Sequence, residues 1–382
     1  MKRRAASLSC FLLVSGLFAG TPPAVAQMVT GIVEDSSGVP ISRAFVVLED
    51  TASRVAARTL TGTGGGYYLA APQPGRYRLR TDRIGYAGAV SPWLRIEAGR
   101  TLEYRFRVEA VPVRLREITV EERPRCQVLP DEGIEMQRVW DEARKALTAT
   151  AWTGQQPYFR FDAVLHSHAL DARGRPRSEA VLEEVRFYGR HPFRSIPARD
   201  LVFGGFVQEP DGRVAYYAPD AEVLLSDTFV RRHCFRLIRG RDEDAGLLGL
   251  AFEAVPQSRL PDIEGVMWLD PASSELRRLD YSYVNLDVPV DTDRLGGSVE
   301  FARLPTGAWI IRGWLIRVPV IEWVPGIGPR PGRYRLTGIN EGGGQVLAVW
   351  LTAKIAGLLP TDTLHVTPPP DSLLVRFELQ EP

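Results

Sequence analysis

Apolar and polar positions alternate with a period of two along most of this 382-residue chain, and this pattern predicts a mainly β protein. In the first such region, residues 29–120, turns containing Gly or Pro separate short apolar runs about every 8–12 residues. Ala44, Val46 and Leu48 form a fully apolar face of one predicted strand. Its other face carries Phe45, Val47 and Glu49 and is therefore partly apolar. Because strands of this kind are typical of sandwiches, the region is predicted to form a small antiparallel β-sandwich.

Turn glycines, turn prolines and strand residues in this region follow one another in a recognisable order: Gly31, Val33, Asp35, Gly38, Pro40, Ala44, Val46, Leu48, Thr61, Gly66, Tyr68, Pro74, Gly75, Tyr77, Gly85, Tyr86 and Gly99. The order resembles that of the carboxypeptidase regulatory-like domain, a transthyretin-like sandwich of seven strands. Thr61-Gly62 replaces the Thr-Asp that is usual in that family. The resemblance implies a domain without catalytic residues that lies beside another functional component.

One long helix is predicted at residues 131–150, with Asp131 as its N-cap after Pro130. Apolar side chains recur at helical spacing and form a face that we expect to pack on a sheet: Met136, Val139, Trp140, Ala143 and Leu147. Charged side chains fall mostly on the other face, where Asp141 and Lys145 have the spacing of an ion pair: Arg138, Asp141, Glu142, Arg144 and Lys145.

The rest of the chain is predicted to be an antiparallel β-meander, or half-barrel, lying against that helix. We expect a turn in the glycine run at residues 341–344. The strand order and the segments 265–270 and 275–280 resemble the lipoprotein-carrier (LolA-like) half-barrels, which implies an apolar concave cavity. Strands are expected at residues 158–170, 179–188, 213–217, 222–225, 234–238, 247–254, 265–269, 275–287, 297–302, 308–320, 333–340, 345–353 and 373–379.

The first 26 residues have the features of a secretory signal peptide, with basic residues, a short apolar run and Ala24-Val25-Ala26 before the cleavage point. The predicted domains are then the sandwich at 27–120, a linker at 121–130, the helix and meander at 131–357, and a Pro-rich segment at 358–382. We expect the protein to be exported to the periplasm, the outer membrane or the medium. Removal of the signal, which holds three basic residues and no acid, leaves 44 basic and 46 acidic residues, a net charge of −2. Such a balance favours neither nucleic acid nor an anionic membrane as a partner.

Two cysteines, Cys126 and Cys234, remain after the signal. In an oxidising compartment they could form one disulfide, although two unpaired buried thiols fit the sequence equally well.

The zinc-peptidase, nucleophile-elbow, Walker and EF-hand motifs are absent from the sequence. His166 and His168 share one face of a strand with Asp162, but a metal site would need further ligands and supporting hydrogen bonds. His233 and Cys234 are adjacent on a strand and therefore point apart. We accordingly assign no catalytic residue, metal ligand or cofactor.

The main hypothesis is a non-enzymatic binding or scaffold protein of the cell envelope, whose partner is a protein or an apolar ligand. One alternative is an accessory protein of a TonB-dependent uptake or assembly system, which would use residues 115–120 for edge pairing. A second alternative is a hydrolase with scattered site residues, for which the candidates are His166, His168, His233 and Asp270. Aromatic residues of the last third could line a ligand cavity or form core, and core packing is favoured: Trp268, Tyr281, Tyr283, Trp309, Trp314, Trp323 and Trp350.

Overall fold

The computed structural model describes residues 27–109, 130–210, 214–256, 258–286, 294–325, 332–352 and 374–378. The described chain is mainly β, as predicted, and contains an N-terminal sandwich followed by one long helix and a large antiparallel sheet. The predicted signal peptide, the segment 115–120, Cys126 and most of the Pro-rich segment lie outside the described residues. The predictions made for them, like the domain boundaries, stay predictions.

The sandwich consists of two sheets of short strands that enclose a core of side chains such as Val29, Leu48 and Leu79. One sheet has the order β4-β1-β8, with β9 also pairing with β1, and the other has the order β3-β2-β5-β6, with β7 also pairing with β5. The strands are β1 (Gln27–Asp35), β2 (Phe45–Asp50), β3 (Val55–Leu60), β4 (Gly66–Ala71), β5 (Gly75–Asp82), β6 (Ala89–Val90), β7 (Leu94–Ile96), β8 (Thr101–Glu103) and β9 (Phe106–Val108).

The described sandwich differs from the predicted one in two details. It contains nine strands instead of seven, because β6 and β7 pair separately with β5 and β8 and β9 pair separately with β1. β1 also runs parallel to β8 and β9, so the sandwich is not antiparallel throughout.

The long helix α1 (Pro130–Gly154) includes the whole predicted segment. Val139, Ala143 and Leu147 are fully buried, which confirms the predicted apolar face. Two residues of the charged face, Glu142 and Lys145, are nevertheless buried. They are buried because the sandwich covers this side of the helix.

The second module contains a ten-stranded antiparallel sheet in which the strands from β14 to β20 pair in chain order, as expected of a meander. The hairpin β10–β11 joins beyond β20, and β21 also pairs with β20. The strands are β10 (Phe159–Asp171), β11 (Val181–Tyr188), the separate pair β12 (Val207–Gln208) and β13 (Ala215–Tyr216), β14 (His233–Arg239), β15 (Leu248–Ala254), β16 (Asp262–Asp270), β17 (Glu275–Val284), β18 (Gly296–Arg303), β19 (Trp309–Val324), β20 (Arg333–Thr352) and β21 (Leu374–Glu378).

The strand predicted at residues 222–225 is wrong. Residues 222–225 lie in the short helix α3 (Ala221–Leu225), because the Asp220 carboxylate caps it by accepting a hydrogen bond from Val223 N at 2.9 Å. Two more short helices, α2 (Ala198–Gly204) and α4 (Asp227–Arg232), flank α3 in the chain.

The run Glu341-Gly-Gly-Gly344 lies inside β20, so the predicted turn is wrong. A Cβ at Gly343 would lie 2.5 Å from His166 Cε1, and one at Gly344 would lie 2.4 Å from Trp314 Cζ2. Glycine here lets rings from neighbouring strands lie against the backbone of β20.

Candidate binding cleft between the two modules

Strand β2 is buried on both faces because the sandwich core covers one face and α1 covers the other. Val46 and Leu48 point into the sandwich core, whereas Phe45 and Val47 belong to the large core of the second module. The rings of Phe45 and Trp152 meet edge to face, with centroids 5.6 Å apart and an interplanar angle of 87°. The partly apolar second face of this strand is therefore a docking face for α1. We call this contact region the junction.

A buried ion pair forms the polar part of the junction. Lys145 Nζ donates hydrogen bonds to Glu142 Oε1 at 2.5 Å and to the backbone oxygen of Tyr86 at 2.7 Å. Glu142 Oε2 accepts a hydrogen bond from Gly85 N at 2.7 Å. Gly85 has φ +79°, a conformation that favours glycine and belongs to a tight turn of the sandwich. Both charged side chains thus bind the backbone of this turn.

Burial raises the pKa of Glu142 above its usual range, although Lys145 and the Gly85 hydrogen bond act to lower it. A buried carboxylate is costly unless it is paired, and these partners are what make it tolerable at the junction. Neither residue could be assigned from the sequence, because Asp141 and Lys145 appeared there to be the natural pair. In the structure Asp141 instead lies 3.5 Å from Arg144.

A cleft of about 630 Å³, counting the space open to solvent, lies beside the junction. Its apolar lining comes from both modules: Phe45, Val47, Leu60, Ile84, Ala149 and Trp309. Its charged lining is mostly basic: Arg43, Arg83, Arg144, Lys145, Arg303 and Asp82. The cleft therefore combines an apolar floor with a positively charged rim.

Three of the guanidinium groups interact electrostatically. Burial lowers the pKa of Arg83, and the nearby charges of Arg303 and Arg43 lower it further, while Tyr86 acts in the opposite direction. The Arg83 guanidinium lies over the Tyr86 ring, 4.5 Å from its centroid. Like charges brought together in a partly buried site favour an anion between them.

The histidines of β10 make contacts that do not involve a metal site. His168 Nε2 lies 2.6 Å from the backbone oxygen of Ser178, and the His166 ring lies over Gly343. Asp162 accepts hydrogen bonds from Trp350 Nε1 at 2.5 Å and Arg186 Nε at 3.2 Å. Within the described ranges, no group of three His, Cys, Asp or Glu side chains could hold a metal ion.

The structure does not bring the four hydrolase candidates together. His166 and His168 lie on β10, and six strands separate β10 from His233 on β14. His233 is buried, with Nδ1 2.8 Å from the backbone oxygen of Phe229 and Nε2 3.3 Å from Asp262 Oδ1.

Asp270 lies in a turn, at the end of β16. Burial acts to raise the pKa of Asp270, but hydrogen bonds from Ala272 N and from Arg277 lower it below its usual range. Asp270 therefore acts as a turn residue that shapes the backbone, at a distance from the other candidates.

The tryptophans do not line one cavity. Trp268 and Trp309 are buried, and Trp268 Nε1 donates to Asp280 Oδ2 at 2.9 Å. Trp323 is 55% exposed and packs on Tyr334, with centroids 4.9 Å apart. Only Trp309 of this set lines the cleft. The favoured interpretation as core thus describes Trp268 and Trp309 but not Trp323.

His191 is a buried residue that the sequence analysis did not single out. Its Nε2 lies 2.6 Å from the backbone oxygen of Ile311, and its Nδ1 accepts a hydrogen bond from Phe193 N at 3.0 Å. Burial lowers the pKa of His191 to about 4. The ring is therefore neutral at pH 7 and serves as a core residue against Phe161 and Trp314.

Residues 28–109 match the family model of the carboxypeptidase regulatory-like domain, which confirms the resemblance of the sandwich. No curated protein matches the chain. Within the described residues, no helix is both long and apolar enough to cross a membrane.

Three solved structures that match this chain are distantly similar to it. Catechol 1,2-dioxygenase from Pseudomonas arvilla C-1 is 15% identical over 30% of this chain and 60% of its own, with a TM-score of 0.19, so less than two thirds of the dioxygenase is covered. A DUF1329 family protein from Desulfovibrio piger is 11% identical over 53% of this chain and 89% of its own, with a TM-score of 0.25. A 9R-lipoxygenase from Cyanothece is 10% identical over 73% of this chain and 41% of its own, with a TM-score of 0.19. TM-scores this low carry no argument about fold or function.

Proposed function

We propose that this protein is a non-enzymatic binding or scaffold protein whose N-terminal sandwich is fixed onto the helix-and-sheet module and forms one wall of a shared ligand cleft. The observation that carries the proposal is the junction, in which Phe45 packs on Trp152 and Glu142 binds the backbone of Gly85. A sandwich that was attached only by a linker would leave the outer face of β2 in water. A fixed sandwich instead buries that face and contributes side chains to the cleft.

The same proposal includes export. The basic and apolar character of the first 26 residues and the Ala-Val-Ala sequence at 24–26 support cleavage of a signal peptide. An oxidising location would in turn allow a disulfide between Cys126 and Cys234. We propose this disulfide as a link between the predicted linker and β14.

Native mass spectrometry of the full chain expressed with its leader in a bacterial host tests this proposal. We expect the purified protein to lack the first 26 residues and to carry a non-covalent adduct that denaturation removes. A mass that rises by two protons on reduction would support the disulfide. A tightly bound zinc ion together with turnover of ester or peptide substrates would contradict the non-enzymatic assignment and favour the hydrolase hypothesis.

A further inference from the structure

Two arginines of the cleft have no acidic partner in the part of the chain that the structure describes. The other charges are largely compensated: Lys145 by Glu142 at 2.5 Å, Arg303 by Glu275 at 2.9 Å, Arg144 by Asp141 at 3.5 Å and Asp82 by Arg80. Neither Arg43 nor Arg83 forms an ion pair with a described carboxylate, although Arg83 is half-buried. Arg43 is exposed at the rim, whereas a partly buried cation such as Arg83 is costly without an anion, so the site favours an anionic ligand.

The backbone and a neighbouring turn fix the position of Arg43. Arg43 has φ 60°, whereas the other described non-glycine residues with positive φ are serine, aspartate and asparagine. Positive φ is uncommon for a long side chain and costs free energy, so an outlier of this kind suggests a functional role. A Cβ at Gly307 would lie 2.7 Å from Arg43 Cβ, so the side chain crosses directly over the turn between β18 and β19. Arg43 is thereby held at the rim of the cleft.

The floor beside these arginines is apolar and comes from both modules. Phe45 and Ile84 belong to the sandwich, and Ala149 and Trp309 belong to the helix and the sheet. The cleft of about 630 Å³, which includes space open to solvent, suits a ligand of small-molecule size and is too small for a folded partner. A suitable ligand therefore has a compact anionic group and a short apolar part.

We propose that this cleft binds a small amphipathic organic anion, with its carboxylate or phosphate held by Arg43 and Arg83 and its hydrocarbon part against Phe45. Guanidinium groups bind both kinds of oxyanion through paired hydrogen bonds. The inference rests on the proposed binding function and specifies its ligand class.

Isothermal titration calorimetry of the full-length protein tests the inference with four probes: octanoate, octyl phosphate, octanol and inorganic phosphate. We expect saturable binding of one molecule of octanoate or octyl phosphate, and affinities at least roughly tenfold weaker for octanol and inorganic phosphate. The tighter of the two octyl anions identifies the preferred head group. Equal affinity for octanol and both anions would overturn the inference.

Variants of the arginines separate charge recognition from a general loss of structure. Arg43→Asn removes the guanidinium and tolerates the positive φ, so it should fold normally and weaken binding roughly 10- to 100-fold. Arg83→Gln should weaken binding by a similar factor. Arg76→Gln is the matched control, because Arg76 is exposed on the sandwich and does not line the cleft, and its affinity should stay unchanged.

Three outcomes distinguish failure of this inference from failure of the proposed function. If neither octyl anion binds but native mass spectrometry shows a different non-covalent adduct, the binding function stands and the anion site is wrong. If Arg43→Asn and Arg76→Gln weaken binding equally, the effect is one of overall charge and the assigned site is wrong. If neither anion binds and no adduct is found, both proposals fail.

Discussion

The two faces of strand β2 are almost equally buried, but they are buried by different kinds of partner. Val46 and Leu48 contact other strands of the sandwich, so their environment is complete within residues 28–109. Phe45 and Val47 contact residues of the second module, which are about 100 positions away along the chain. The inner face is thus complete within the matched domain, whereas the outer face is buried by the second module. The comparison indicates that burial of the outer face depends on docking of the two modules.

The largest effect should come from breaking the polar part of the junction. Glu142→Ala leaves the Lys145 ammonium buried without its carboxylate, so we expect the free energy of unfolding to fall by about 3–5 kcal/mol. Chemical denaturation measures this change. Asp141→Ala, on the exposed side of the same helix turn, is the control and should cost less than about 0.5 kcal/mol. Equal costs for the two variants would show that the pair is not buried in solution.

Truncating each face of β2 in turn sharpens the comparison directly. Leu48→Ala should cost about 2–5 kcal/mol because it opens a cavity in the sandwich core. Phe45→Ala should cost about 3 kcal/mol if the outer face is packed on Trp152, a value near that for the inner face. Thermal or denaturant unfolding of both variants gives the answer. A cost below about 0.5 kcal/mol for Phe45→Ala would mean that the outer face is exposed and the modules are undocked.

A third region, on the side of the sheet near β10, should respond to pH. The pKa of His191 is about 4 in the folded protein, below the ordinary value of 6.5, so between these values the unfolded chain binds the extra proton. Stability should therefore fall as the pH drops from 6.5 to 4, by about 3 kcal/mol from this residue. The His191→Gln variant has no imidazole to titrate. The difference in free energy of unfolding between wild type and this variant should therefore be smaller at pH 4 than at pH 7, by about 3 kcal/mol. A constant difference would contradict the assignment of a neutral buried ring.

The smallest effect should come from the far end of the β19–β20 hairpin, where apolar residues are exposed instead of docked. Trp323 and Tyr334 face each other across the hairpin and are each about half exposed, so Trp323→Ser should cost less than about 1 kcal/mol. Thermal unfolding checks this value. A large loss would mean that the hairpin packs against another part of the chain.

Local patterns in the sequence predicted much of the fold. The sandwich follows from its turn glycines and alternating strands, and the core face of α1 follows from Val139, Ala143 and Leu147 at helical spacing. The meander follows from strands with short connections. In each of these cases the information lies within a few residues or within one hairpin.

The cleft could not be predicted in the same way, because its residues come from segments far apart in the sequence. Glu142 and Lys145 appear exposed when the helix is considered alone, and only the position of the Gly85 turn shows that they are buried. The one available signal was the apolar outer face of β2, given by Phe45 and Val47. The glycine run at 341–344 was similarly misinterpreted, since rings from neighbouring strands, and not a turn, require glycine there.

Hydrogen–deuterium exchange of the Phe45→Ala variant tests the central claim, that the sandwich is docked onto α1, most directly. Peptides covering residues 143–152 report on α1, and peptides covering residues 66–71 report on the sandwich strand β4. The account predicts faster exchange in the 143–152 peptides of Phe45→Ala than of wild type, although the substitution lies in the other module. Unchanged exchange in these peptides, with any change confined to the sandwich, would contradict docking.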